Sequence, residues 1–172
     1  MLLPNFLENQ VYSIAVRSST QQVEVSADFS QQLTAVVDAY FLVKNNLVKD
    51  QLPTSSIQTL TQALLKVSAD GTGKDNAKWE KIKTGLADAT AKIKGSKDIA
   101  STRTHFSSLS TQVIKLTETY KLTKAVVYQD YCPMAFNNKG GYWLSETEDI
   151  QNPYFGASML SCGEVKKTYA SK

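Results

Sequence analysis

Four stretches of the chain carry apolar residues at intervals of three and four, and this periodicity constrains the fold more than any other feature. Such spacing places the apolar side chains along one side of an α-helix. The stretches begin near residues 28, 57, 76 and 98, and polar connections such as residues 70–73 separate them. Each apolar face has to be buried against the others. The sequence therefore predicts a mainly α fold, an up-down four-helix bundle.

Capping residues mark the predicted helix starts. Ser26 and Asp28 are alternative N-caps of the first helix, and Asp98 or a nearby residue begins the fourth. Pro53 ends the first connection. The long apolar side chains of these helices are expected to form the core.

Composition excludes several classes of protein. A chain of 172 residues with 42% apolar and 20% charged residues is typical of one globular domain. The net charge of +3 is mild and the lysines are dispersed, so no nucleic-acid footprint is predicted. No stretch approaches the ~20 apolar residues of a membrane span. Residues 1–7 lack the basic start of a signal peptide, which leaves a cytosolic protein or an exported protein in mature form.

The chain divides into two predicted parts. Residues 1–25, with partly alternating valines, read as an extended N-terminal arm, and residues 26–172 as a helical bundle domain. Within this domain, residues 124–165 form a C-terminal cap that contains the cysteines. Ser145 and Glu148 have capping-box spacing, and Asn152 precedes Pro153 as an N-cap precedes N1. We therefore expect a cap of turns and two short helices.

Four sulfur atoms are concentrated in this cap. Cys132 and Met134 form one pair, and Met159 and Cys162 form another. In an extended segment residues i and i+2 point the same way, and in a helical turn residues i and i+3 share a face. Soft sulfur donors of this kind suit Cu(I) better than zinc, magnesium or calcium. The single histidine, His105 in the fourth helix, is a candidate nitrogen ligand.

Other interpretations of the cysteines remain open at this point. A Cys132–Cys162 disulfide would close a loop of about 30 residues and contribute roughly 3 to 4 kcal/mol. Structural zinc is disfavoured, because it normally takes four Cys or His ligands and the chain has three such residues. A thiol enzyme with Cys132 as nucleophile and His105 as base lacks any triad or oxyanion-hole motif. We therefore expect no enzyme activity.

The second half of the chain also carries a long collinear signature. It resembles a bacterial domain family of unknown function that is found alone or at the C-terminus of periplasmic adaptor (membrane-fusion) subunits of heavy-metal efflux systems. The motif of Cys132 to Met134 is similar to short heavy-metal-binding modules of copper-transporting proteins. Members of the family often have a histidine where this chain has Tyr131. The segments that carry the resemblance are 103–106 (RTHF), 131–135 (YCPMA), 137–140 (NNKG), 143–145 (WLS), 152–156 (NPYFG) and 159–163 (MLSCG).

The resemblance implies an exported, periplasmic protein that handles copper or silver and works with adaptor or pump subunits of an efflux system. The ligand set that it implies is Cys132, Met134, Met159, Cys162 and His105. The function predicted is a periplasmic soft-metal (Cu/Ag) binding module linked to heavy-metal efflux or metal delivery. The alternative is a non-metal protein-interaction domain in which a Cys132–Cys162 disulfide staples the cap.

Overall fold

The computed structural model describes residues 26–72, 76–122 and 125–170. The predicted N-terminal arm, residues 1–25, lies outside the described residues. Within these three ranges, no helix combines the length and apolar character needed to cross a membrane.

The prediction of a mainly helical chain with four long helices is confirmed. Two of the predicted caps are also seen. The Ser26 hydroxyl oxygen accepts a hydrogen bond from the Phe29 N–H at 3.1 Å, and the Asp98 carboxylate accepts one from the Ser101 N–H at 2.8 Å. The helices are α1 (Ala27–Val48), α2 (Thr54–Leu65), α3 (Asn76–Gly95) and α4 (Ile99–Tyr120).

The apolar faces of the helices pack together as the periodicity requires. Helix α1 packs along α2 and also touches α4, and α3 packs along α4 and touches α2. Edge-on aromatic contacts join Phe29 to Trp79 and to Tyr120, and Tyr40 stacks on Phe106 with ring centroids 5.2 Å apart. These aromatic pairs connect three of the four helices through one core.

The C-terminal part is a small antiparallel sheet with one four-residue helix, α5 (Ala135–Asn138), in place of the two short helices predicted to begin at Ser145 and Asn152. The strand order is β2-β1-β3, so that β1 is central and β3 lies at an edge. Cys132 pairs with Gly141 of β2, and Tyr131 pairs with Glu164 of β3. An irregularity between Gln129 and Asp130 shifts the register of β1 against β3. The strands are β1 (Val127–Cys132), β2 (Gly141–Ser145) and β3 (Glu164–Tyr169).

Both predicted helix starts in the cap serve other purposes. Ser145 is the last residue of β2, and its hydroxyl accepts a hydrogen bond from the Thr147 N–H at 3.3 Å instead of starting a helix. The Asn152 side chain does accept bonds from the Tyr154 and Phe155 N–H groups, as an N-cap would. Only a single 3₁₀ turn, Gly156–Ser158, follows it. The helix-start signals therefore mark tight turns here.

Polar contacts fasten the sheet and the turns of the cap to the helices. The Tyr40 hydroxyl hydrogen-bonds Ser110 of α4 at 2.8 Å and accepts a bond from the Leu144 N–H of β2 at 3.1 Å. The Arg103 guanidinium donates to the Pro153 carbonyl at 2.9 Å and forms an ion pair with Asp50 at 2.6 Å. The cap is thus anchored at two points to α1 and α4.

Candidate metal centre

The structure brings the two cysteines together although 30 positions separate them in the chain. The Sγ atoms of Cys132 and Cys162 lie 2.9 Å apart, and both residues are free thiols. Cys132 ends the central strand and is fully buried, whereas Cys162 is half-buried in the turn that precedes β3. Antiparallel pairing of β3 with β1 carries Cys162 to Cys132.

Backbone and side-chain hydrogen bonds hold the turn that carries Cys162. Its N–H donates to the Met159 carbonyl at 3.1 Å. The side-chain amide of Asn152, which is fully buried, donates to the Cys162 carbonyl at 2.7 Å. Sequence reasoning assigned Asn152 only a capping role. The proline that follows Asn152 indicated a cap, but nothing local indicated its bond to Cys162, which depends on the fold.

The surroundings of Cys162 keep the proton on its thiol. The hydrogen bond with Cys132, followed by burial and by the charge of Cys132, raises the pKa of the Cys162 thiol to about 11. At neutral pH Cys162 therefore carries its proton, which an incoming metal ion has to displace.

The first predicted sulfur pair has a different backbone from the one expected. Strand β1 ends at Cys132, and Met134 has right-handed helical dihedrals (φ −82°, ψ −15°). The extended i, i+2 geometry is therefore wrong for Cys132 and Met134. Met134 has 49% of its surface exposed, so its flexible side chain is accessible to solvent.

The second pair is also not helical. Met159 follows the 3₁₀ turn with φ −149° and ψ 59°, outside the helical region. The predicted helical i, i+3 relation of Met159 and Cys162 is instead a tight turn closed by the hydrogen bond between their backbones. Met159 is half-buried. A turn of this kind still keeps both residues on a short segment of chain.

His105 lies on α4, half-buried and next to the core residue Phe106. No hydrogen bond in the described part of the chain joins His105 to either cysteine. Nor do the described residues contain a group of three or more His, Cys, Asp or Glu side chains that could hold a metal ion.

Asp130, two positions before Cys132, is a buried charged group that sequence reasoning missed. It is fully buried, and neither carboxylate oxygen has a hydrogen-bond partner in the described ranges. Burial raises the pKa of Asp130 to about 7, although the charge of Lys44 acts in the opposite direction. Lys44 is itself buried and forms an ion pair with Glu146 at 2.6 Å. The irregularity at Gln129 disturbs simple alternation, which is why the strand pattern did not mark Asp130 as inward-facing.

Comparison with known proteins identifies a family but no activity. A family described as "Protein of unknown function (DUF3347)" matches residues 36–125, from within α1 to the residues before β1. Cys132, Cys162 and both methionines of the cap lie beyond that match. No curated protein and no solved structure matches the chain. Because the match covers more than half of the 172 residues, the chain belongs to this family of proteins of unknown function.

Proposed function

We propose that this domain binds a soft monovalent metal ion, Cu(I) or Ag(I), through Cys132 and Cys162. The observation that carries the proposal is the 2.9 Å contact between the two Sγ atoms, which come from separate segments of the cap. Thiolates and thioethers are the ligands that select Cu(I) in proteins.

The neighbouring methionines fit the same chemistry. The exposed thioether of Met134 and the half-buried thioether of Met159 follow or precede a cysteine by two or three positions. Thioethers carry no proton to displace, and the methionine side chain adapts its shape readily. His105 is a further candidate ligand in this proposal. The thiol pair would have to open to admit the ion.

The biological setting is a proposal of the same kind. The resemblance to domains of periplasmic efflux adaptors supports capture of the ion in the periplasm and its transfer to an adaptor or pump subunit. The partition into an arm (1–25) and a bundle domain (26–172) stays a prediction. The connections of residues 49–53 and 96–98 are short, which supports the up-down order of the helices within this proposal.

An anaerobic competition titration with Cu(I) and a coloured chelator tests the proposal on the fully reduced protein. We expect one Cu(I) to be withdrawn from the chelator per chain. Cys132→Ser should abolish this competition, and Met134→Leu should weaken binding by about tenfold, on the scale of a lost supporting ligand. Ser161→Ala, which removes an exposed side chain beside Cys162 but no sulfur, is the matched control. Absence of competition by the folded wild-type protein would refute the metal site.

The same contact also favours the alternative, a protein-interaction domain stapled by a disulfide. The two sulfur atoms need to approach by only about 0.9 Å to reach the bond length of a disulfide. Mass spectrometry of protein purified without reductant distinguishes the alternatives. Loss of two hydrogens, together with no Cu(I) binding after reduction, supports the staple.

A further inference from the structure

An apolar groove lies between α2 and α3, on a part of the bundle that the cysteines do not use. Its volume is about 330 Å³. Leu64 and Leu65 form the α2 side, and Leu65 has 81% of its surface exposed. Ala87 and Ala91 line the α3 side, so the floor is formed by small and aliphatic side chains. An exposed leucine above such a groove is a feature of ligand and partner sites.

One buried polar group of this groove has no hydrogen-bond partner among the described residues. This group is the hydroxyl of Thr90, which lines the groove and is only 4% exposed. An unpaired buried hydroxyl destabilises the folded chain. The hydroxyl oxygen is closed off from the groove as it stands, so the Thr90 side chain has to rotate about χ1 before it can donate to an acceptor atom of a ligand.

A cation lies beside Thr90 on the same face of α3. Lys94 follows Thr90 by four residues, so the two side chains are neighbours on the helix surface, and both line the groove. Lys94 takes part in no ion pair within the described ranges. Lys83, at the other end, is 3.9 Å from the Glu80 carboxylate, which partly balances its charge. The end that carries Thr90 and Lys94 is therefore the one suited to an anion.

We propose that this groove binds a single-chain alkyl carboxylate, with its carboxylate at Lys94 and Thr90 and its alkyl chain toward Lys83. Lys94 supplies the opposite charge and Thr90 donates its hydroxyl hydrogen, while Leu64, Leu65 and Ala87 contact the chain. At a rise of ~1.5 Å per residue, Thr90 and Lys83 are about 10 Å apart along the axis, which suits roughly eight to ten carbons.

The size of the groove favours this ligand over a partner helix. A helix with side chains is about 10 Å across, and two turns of it need far more room than the groove offers. Thr90 and Lys94 lie together at one end, as a ligand with one charged head requires, whereas Lys83 at the other end is partly balanced by Glu80. The proposal is independent of metal binding at the cysteines.

Isothermal titration of the reduced protein with decanoate near neutral pH, below its micelle concentration, tests the inference. We expect saturable binding of one decanoate per chain, at least about tenfold tighter than binding of decan-1-ol, which lacks the charge. Lys94→Gln should weaken decanoate binding about tenfold, and Thr90→Val, which keeps the side-chain shape, about fivefold. Lys92→Gln on an exposed position of α3 outside the groove should leave it unchanged.

A second variant separates binding from folding. Ala87 is exposed, so Ala87→Leu should fill the groove without disturbing the core and should abolish binding while the far-UV spectrum and melting temperature are retained. Saturable binding that survives both Lys94→Gln and Ala87→Leu would overturn the assignment, and so would the absence of saturable decanoate binding. Binding of an acidic amphipathic peptide in place of decanoate would also overturn it, in favour of a protein partner.

Discussion

Replacing Asp130 with asparagine should remove most of the pH dependence of stability near neutral pH. Asp130 is buried in the sheet without a hydrogen-bond partner in the described part of the chain, and burial raises its pKa to about 7. Asparagine is nearly the same size and carries no charge, so it mimics the protonated acid. The substitution therefore isolates the free energy of ionising this one buried carboxyl.

The sign follows from the raised pKa. An aspartate in an unfolded chain has a pKa of about 3.9, so above that pH the folded protein binds this proton more tightly than the unfolded chain does. The contribution of Asp130 to the free energy of unfolding is fully present below pH ~4 and is lost as the pH rises through about 7. The whole shift corresponds to about 4 kcal/mol. Solvent screening near the small sheet reduces this, and we expect a loss of about 2 kcal/mol between about pH 5 and about pH 8.

Urea denaturation followed by far-UV circular dichroism, with reductant and constant ionic strength, measures this effect. The free energy of unfolding of the wild type should fall between the two pH values, and that of Asp130→Asn should stay nearly level. Asp149→Asn, at an exposed position, is the matched control and should behave as the wild type does. Equal pH slopes for the wild type and Asp130→Asn would refute the reasoning.

Two other substitutions test the contacts that join the cap to the helices. Glu146→Gln removes the carboxylate that pairs with buried Lys44, and the free energy of unfolding should fall by about 1 to 3 kcal/mol. The exposed control Glu148→Gln should change it by less than about 0.5 kcal/mol. Urea denaturation measures both variants, and equal effects would contradict the ion-pair argument. Arg103→Lys keeps the charge but loses the forked donor that reaches the Pro153 carbonyl and Asp50 together, so amide hydrogen exchange in residues 152–158 should become about tenfold faster. Unchanged exchange in that segment would contradict the anchoring role.

The helical half of the fold could be predicted from the sequence because its signals are local. The apolar spacing and the caps Ser26 and Asp98 act within one or two turns of the helix that they specify. The sheet could not be predicted in the same way. Strand β2 is only five residues long with three consecutive buried residues, and β3 is mostly exposed, so neither shows the alternation that identifies a strand.

The sequence indicated the two cysteines of the candidate site but not the geometry that brings them together. The sulfur-rich composition indicated Cys132 and Cys162, yet their contact depends on pairing between strands that sequence reasoning did not find. The local arguments for Met134 and Met159 were wrong in backbone conformation, because Pro133 follows the end of β1 and a tight turn replaces the expected helix. Asp130 was missed because a polar residue in a strand is unusual only when it is buried, and its burial depends on how the sheet packs.

The position of β3 at the sheet edge has a consequence for how molecules of this protein meet one another. An edge strand presents backbone donors and acceptors that could pair with the same strand of a second molecule. Here the edge carries Glu164, Lys166 and Lys167, all exposed. Charged side chains at such positions oppose strand addition, since pairing would desolvate them. Replacing Lys166 with a β-branched residue would remove a barrier to aggregation, whereas replacing Lys167 would also break its 2.7 Å ion pair with Glu118 of α4.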